Sequence, residues 1–421
     1  MFQKTKLSNG LKIIAVPLKN TQAVTVLVLV GTGSKHETKE INGISHFLEH
    51  LLFKGTKKRP NTLAIAETLD RVGGFYNAFT SKEFTGYWAK VDSKHLDLAL
   101  DWVSDILLNS KLEEKEIERE KKVVIEEINM YLDTPMSYVH DLWEKLLYGD
   151  QPAGWMISGE KDTVVKLKRE QILTYLENHY VAQNTIVCVA GNIDPRATER
   201  KIRKYFHSAK SGKPRSKLKV TEIQSKPENF IHFKKTDQTH FCLGVRAYGL
   251  FHSLKYAQQV LATILGGPMS SRLFINVRER HGLAYYIRTS SDNTTDTGYL
   301  VTQAGVDHRN TEKAIQLILK EYKNLREKKL EQKELKKAKD YLKGNFILSL
   351  ESSDAQVSFY AGQELLEGGI ETLKEKLRKI EEVTAQDIQK LAREIFQPQK
   401  LNLALIGPLK GKKNFQKLLK I

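Results

Sequence analysis

Cysteine is nearly absent: Cys188 and Cys242 are the two in 421 residues, and no Cys-x-x-Cys pair occurs. There is therefore no thiolate zinc knuckle. Each cysteine lies in an apolar, β-rich run, so two buried free thiols are expected rather than a disulfide. No apolar run is long enough to span a membrane. Met1 to Ser8 lack the apolar core of a secretion signal. Together these absences lead us to expect a cytoplasmic protein that makes no use of a membrane. Gly266-Gly267-Pro268-Met269-Ser270-Ser271 lacks a Gly-Lys-Ser/Thr ending, so it is not a phosphate loop. Acid is short against base, 50 Asp and Glu to 67 Lys and Arg, for a formal charge of +17. The lysines are interleaved with glutamates, as in Glu327-Lys328-Lys329-Leu330-Glu331, which reads as solvated helix surface. No nucleic-acid motif accompanies the charge, so nucleic acid is not an expected partner.

The chain is long enough for two domains, and a hydrophobic content of 40% supports cores for both. Gln3 to Leu7 and Leu11 to Val16, joined at Ser8-Asn9-Gly10, predict a hairpin. Ala23 to Val30 is an unbroken β-rich run suited to a central strand, and Phe75 to Thr80 and Glu83 to Val91 read as two more. Helices are expected from Pro60-Asn61-Thr62 through Ala66 to Val72, and over Ser93 to Leu108, Glu113 to Tyr131, Met136 to Leu147 and Arg169 to His179, before a strand at Thr185 to Ala190. Ser208 to Ser216 is polar, basic and contains Gly and Pro, as a linker does. Beyond it the pattern returns. Ile172 and Ile388, Tyr180 and Phe396, Gln183 and Gln399, and Gly191 and Gly407 all stand 216 residues apart. One register at half the chain length points to duplication. The expected fold is α+β: two homologous halves, 1–215 and 216–421, each a mainly antiparallel sheet with helices on one face.

His46-Phe47-Leu48-Glu49-His50 lies within an apolar pattern of helical period formed by Ile44, Phe47, Leu48, Leu51 and Leu52. On a helix, His46 and His50 share a face and can reach one zinc ion, with Glu49 beside it. A carboxylate so placed suits water-assisted hydrolysis, and the spacing is the inverzincin one. The same three residues also describe a surface helix, so a third ligand decides the matter. Glu120, Val123, Val124 and Glu127 share a face of the helix over Glu113 to Tyr131, two carboxylates around two apolar residues. Shifting His46, Glu49 and His50 by 216 gives Ala262, Leu265 and Gly266, so the second half has no metal motif.

With Glu127 standing 77 residues after His50, and Gly43-Ile44-Ser45 and Phe53-Lys54-Gly55-Thr56 flanking the motif, the chain resembles the M16 metallopeptidases. That family includes mitochondrial processing peptidase, insulysin and pitrilysin. The resemblance covers essentially the whole chain and is nearest to the short M16B forms, in which two chains enclose a chamber. It implies a zinc endopeptidase acting on peptides or unfolded polypeptide, with one Zn²⁺ per chain held by His46, His50 and Glu127. Glu49 would be the general base, and Glu120 would support the site without being a principal ligand. Asn77-Ala78-Phe79-Thr80 resembles the edge strand on which substrate lies, with Asn77, Ala78 and Phe79 implied to bind it. Arg278 and Tyr285 resemble the Arg-x6-Tyr element of the zinc-free half, which would hold the substrate carbonyl. A homodimer, or a heterodimer with a related chain, is implied. The alternatives are a partner-dependent or non-catalytic peptidase-like subunit, and a basic nucleic-acid-binding protein.

Overall fold

A computed structural model of the chain describes residues 2–409 and 415–421. They form two compact units. The first gathers the chain up to Asn129, Trp155–Leu218 and Ser349–Ile370. The second gathers Met130–Gly154, Lys219–Leu348 and the chain from Glu371 onward.

In chain order the elements begin with β1 (Gln3–Lys6), β2 (Lys12–Pro17), β3 (Ala23–Val30), α1 (Ile44–Leu51), α2 (Thr62–Asp70), β4 (Phe75–Thr80) and β5 (Thr85–Asp92). Then come α3 (Leu96–Leu108), α4 (Glu114–Leu132), α5 (Pro135–Tyr148), α6 (Lys161–Lys166), α7 (Arg169–His179), β6 (Thr185–Gly191) and α8 (Pro195–Tyr205). The second half supplies β7 (Glu228–Phe233), β8 (Thr239–Ala247), α9 (Lys255–Gly266), a π-helical turn (Phe274–Arg280), β9 (Ala284–Asn293) and β10 (Gly298–Val306). After these follow α10 (Thr311–Glu327), α11 (Gln332–Ser349), α12 (Ser353–Leu366), α13 (Leu373–Glu382), α14 (Ala385–Ile395) and β11 (Leu401–Gly407).

The first sheet has the order β1-β2-β6-β3-β5-β4, and the second β7-β11-β8-β10-β9. Each is antiparallel except for one pair, β2 with β6 and β7 with β11. The duplication is visible in those pairs. Lys12 faces Ile186 in the first, and Glu228 faces Asn402 in the second, with both partners shifted by 216. α7 and α14 obey the same offset.

The unbroken apolar character of β3 follows from burial on both faces. Successive side chains alternate. Leu27 and Leu29 join Cys188 beneath Val357 and Ala361 of α12, and Thr25 shares a 2.7 Å hydrogen bond with Ser353 at the start of that helix. Val24, Val26 and Val28, equally buried, point the other way. The second sheet is treated alike. Phe241, Leu243 and Val245 of β8 form a core with α9, α10 and α14, while Cys242 lies with Val139 and Trp143 of α5 on the reverse face. The α+β architecture is as expected. The sequence reading placed helices on one face, whereas each sheet also has its other face covered by a single helix from the opposite half of the chain. Both cysteines are buried free thiols, and burial pushes them up from the usual thiol range.

The stretch Ser208 to Ser216 has no regular structure but is tied to the first unit. Ala182 N–H donates to Lys210 O at 2.8 Å, and Gly212 N–H to Gln183 Oε1 at 2.6 Å. Among the described residues no helix is long and apolar enough to cross a membrane.

Candidate metal centre

α1 begins at Gly43, whose φ of +96° is left-handed. A side chain there would also bring its Cβ within 2.6 Å of Ser158 O, so glycine is required twice over. The carboxylate of Glu37 closes the start of the helix. It accepts from Gly43 N–H at 2.7 Å, Ser45 N–H at 2.9 Å and Asn42 Nδ2 at 2.9 Å. Burial pushes the Glu37 carboxyl up, against the pull of those donors. Ser45 Oγ shares a 2.7 Å hydrogen bond with the Tyr175 hydroxyl of α7, which is 2.7 Å from Thr32 Oγ1. Ile44, Phe47, Leu48 and Leu51 face the core, which leaves His46, Glu49 and His50 along the other side.

α4 brings Glu127 to the two histidines. His46 Nε2 and His50 Nε2 are 3.3 Å apart, and Glu127 Oε2 lies 3.5 Å from the first and 3.3 Å from the second. Donors about 2.0–2.1 Å from a tetrahedral ion stand about 3.3 Å from one another. The triangle thus has the dimensions of three zinc ligands, and these residues are the one such His/Cys/Asp/Glu group among the described residues. The donor set, two imidazoles and a carboxylate, suits zinc.

Electrostatics reinforce the arrangement. Burial alone would lower the His50 pKa, but hydrogen bonds to Glu120 and Glu127 outweigh it and raise it to about 9. Hydrogen bonds from His46 and His50 hold Glu127 far below the usual carboxylate range. Glu120 is almost fully buried and accepts from His50 Nδ1 at 2.9 Å and Lys54 Nζ at 2.6 Å. Burial would raise its pKa, but those two partners bring it down. Glu120 thus fixes the ring whose Nε2 faces Glu127. Among the described residues His46 Nδ1 has no hydrogen-bond partner, so that ring is held by packing and by its Nε2 contact with Glu127.

The expectation for α4 needs one correction. Val124 is buried beside Glu120, but Val123 is 48% exposed, so the apolar part of that face is Val124 with Ile117 and Ile128. Asn77, Ala78 and Phe79 lie on β4, an edge strand paired only with β5. Ala78 is buried and Asn77 exposed, and Asn77 Oδ1 accepts from Ala78 N–H at 2.9 Å. Arg278 and Tyr285 belong to the second unit. There the Arg278 guanidinium lies 4.7 Å from the Phe274 ring and 5.7 Å from that of Tyr285, which is 76% exposed.

Three further residues shape the centre, and the sequence reading gave none of them a role of its own: Glu37 at the head of α1, Lys54 on Glu120, and Thr80, whose hydroxyl donates to Glu49 Oε2 at 2.6 Å. Lys54 alone carried a signal, standing four residues after His50 on the same helical pattern. Glu37 and Thr80 lie in a loop and at a strand end, where periodicity says nothing.

Comparison with known proteins agrees with this geometry. Residues 12–160 match the insulinase family, peptidase family M16, and residues 166–342 match the peptidase M16 inactive domain. The uncharacterized zinc protease YmxG of Bacillus subtilis is 37% identical over 408 residues, covering 97% of this chain and 98% of that protein. The uncharacterized zinc protease SCO5738 of Streptomyces coelicolor is 34% identical over 418 residues, covering 97% and 90%. The crystal structure of a protease from Helicobacter pylori superposes with a TM-score of 0.90 at 25% identity, covering 97% of this chain and all of that one. A helix presenting His-x-x-Glu-His, a glutamate delivered by a second helix, and a duplicated half without ligands accompany likeness over nearly the whole length, and the chain belongs to the peptidase M16 family.

Proposed function

We propose that the protein is a zinc-dependent endopeptidase that cleaves peptides or unfolded segments. The observation that carries this reading is the triangle of His46 Nε2, His50 Nε2 and Glu127 Oε2 at 3.3–3.5 Å, with Glu49 on the same helix. His46, His50 and Glu127 would hold the zinc. When bound, zinc supplies Lewis acidity that lets water attack a peptide carbonyl at neutral pH. Glu49 takes the proton of the attacking water and passes it to the leaving amine. Glu120 and Lys54 keep His50 aimed. The free edge of β4 offers backbone groups to an extended peptide, giving affinity with little demand on sequence. Arg278 and Tyr285 are proposed to hold the carbonyl oxygen as charge develops on it. Pairing of two chains around a shared chamber, as in the short M16 forms, would restrict access to flexible substrates.

The test is incubation of the purified protein with a mixed peptide library, with and without chelator, and product analysis by mass spectrometry alongside zinc determination and a size measurement. Chelator-sensitive cleavage is expected. Glu49→Gln is expected to retain zinc and lose about 10²–10⁴-fold in turnover. Undiminished turnover in that variant would sink the mechanism, and absence of cleavage from a zinc-loaded wild type would favour a non-catalytic subunit.

A further inference from the structure

A glutamate has three side-chain torsions between its backbone and its carboxylate, and a general base must be held against that freedom. Glu49 is half-buried, and one of its two oxygens is already engaged. Thr80 Oγ1 donates to Oε2 at 2.6 Å, the length of a charge-assisted O–H···O⁻ bond. Among the described residues this is the hydrogen bond that holds the carboxylate. The Tyr87 and Tyr180 hydroxyls, 2.9 Å from each other, bond to each other behind it.

Thr80 is the last residue of β4, where it pairs with Thr85 of β5. By the two-residue period of a strand its side chain lies on the same face as that of buried Ala78, and opposite Asn77 and Phe79. β4 packs against α1 and, among the described residues, leaves its other edge unpaired. One short strand therefore presents an open edge and, at its end, a hydroxyl that fixes the carboxylate beside the metal triangle.

Resting on the protease reading, we propose that Thr80 is the positioning residue for Glu49. It holds Oε2, so that Oε1 is the atom left to receive the proton. Because it ends the strand proposed to take the peptide, it also ties the orientation of the base to the placement of the substrate backbone. Thr80 does not touch the reacting atoms and acts through Glu49 alone.

The experiment compares Thr80→Val, which keeps the shape and removes the donor, with Thr80→Ser, which keeps the donor. Each is made in the wild type and in Glu49→Gln. Thr80→Val is expected to lower kcat by about 10–100-fold, the usual effect of losing a partner that orients a site. KM, zinc content and melting temperature should stay near wild type. Thr80→Ser should recover most of the loss, and Thr80→Val should add nothing in the Glu49→Gln background. Crystal structures of the chelator-treated variants give a readout independent of turnover: Glu49 leaves its rotamer in Thr80→Val and keeps it in Thr80→Ser. The proposal is overturned if Thr80→Val turns over like wild type or leaves the Glu49 rotamer unchanged. Equal damage by the serine and valine variants, with a lowered melting temperature, also overturns it, since that is the mark of packing. If zinc-loaded wild type cleaves no peptide, the protease reading fails, and the rotamer comparison still decides the role of Thr80.

Discussion

α7 and α14 occupy the same place in the two units and stand 216 residues apart, yet they carry opposite chemistry. Tyr175, His179 and Tyr180 in the first are Leu391, Ile395 and Phe396 in the second. The first trio sits behind the metal helix, where Tyr175 holds Ser45 and Tyr180 meets Tyr87 by hydroxyl contacts. The second is wholly buried and apolar, with Phe396 stacked 4.3 Å from Tyr322. The helices in front differ in the same sense. The His50 side chain on α1 is partly exposed, whereas at the matching position a Cβ on Gly266 of α9 would come within 2.4 Å of Thr289 N in β9. A duplicated frame has thus been kept for its strands and divided in its helices. Both copies are closely packed, but one is held by hydroxyl hydrogen bonds that aim side chains and the other by apolar contact.

The comparison breaks most visibly at the triangle. His50→Ala should lose both zinc and cleavage, measured by metal analysis and peptide turnover, and retention of either would remove His50 from the ligand set. Next comes the question of whether the apolar copy takes part in the chemistry. Tyr285→Phe removes an exposed hydroxyl, so the melting temperature should hold while kcat falls by about 10²–10³-fold, the effect of losing an oxyanion donor. Unchanged kcat would make the second unit a scaffold only. Smaller again is the effect of forcing bulk into the tight helix. Gly266→Ala should cost about 1–3 kcal/mol by overpacking, read by denaturant unfolding, and a neutral result would mean that α9 can shift to admit a side chain. The smallest effect is one of pH. Burial first, and then neighbouring charge, from His179 on His36 and from Arg215 on His179, hold both imidazoles at about 4 instead of the usual 6.5. The unfolded chain therefore binds these protons more readily. Their contribution is intact above about pH 6.5 and is lost progressively as pH falls toward 4. Grafting the residue of the other copy, as His179→Ile, should flatten the acid side of the melting profile; an unchanged slope would exonerate the histidine.

Much of this was legible in the sequence for identifiable reasons. β3 was found to the residue because eight β-branched-rich positions, seven of them apolar, have no helical reading. The hairpin followed from Asn9-Gly10, and the duplication from a single offset that the parallel strand pairs obey residue for residue. His46 and His50 were legible as a pair because helical spacing turns sequence distance into a shared face; Glu120 and Glu127, seven apart on one face of α4, were both candidates, and the resemblance to M16 peptidases chose Glu127. What escaped were contacts made across long sequence separations by residues without periodicity. Thr80 reaches Glu49 from a strand end, and Glu37 reaches α1 from a loop. The covering of each sheet by a helix of the other half was equally hidden, because α5 and α12 have ordinary amphipathic patterns that do not name the sheet they cover.

That covering sets an order on synthesis. The face of the first sheet formed by Leu27, Leu29 and Cys188 is closed by Val357 and Ala361, which a ribosome adds only after nearly the whole chain. The N-terminal half emerges with one side of its sheet bare, and it cannot finish folding while it is still being made. Stalled nascent chains ending before residue 350 should be protease-sensitive throughout this sheet, and extension past residue 370 should protect it. A gene cut at the natural linker would leave each product holding a helix that belongs to the other, so neither product is expected to be stable until both are made together.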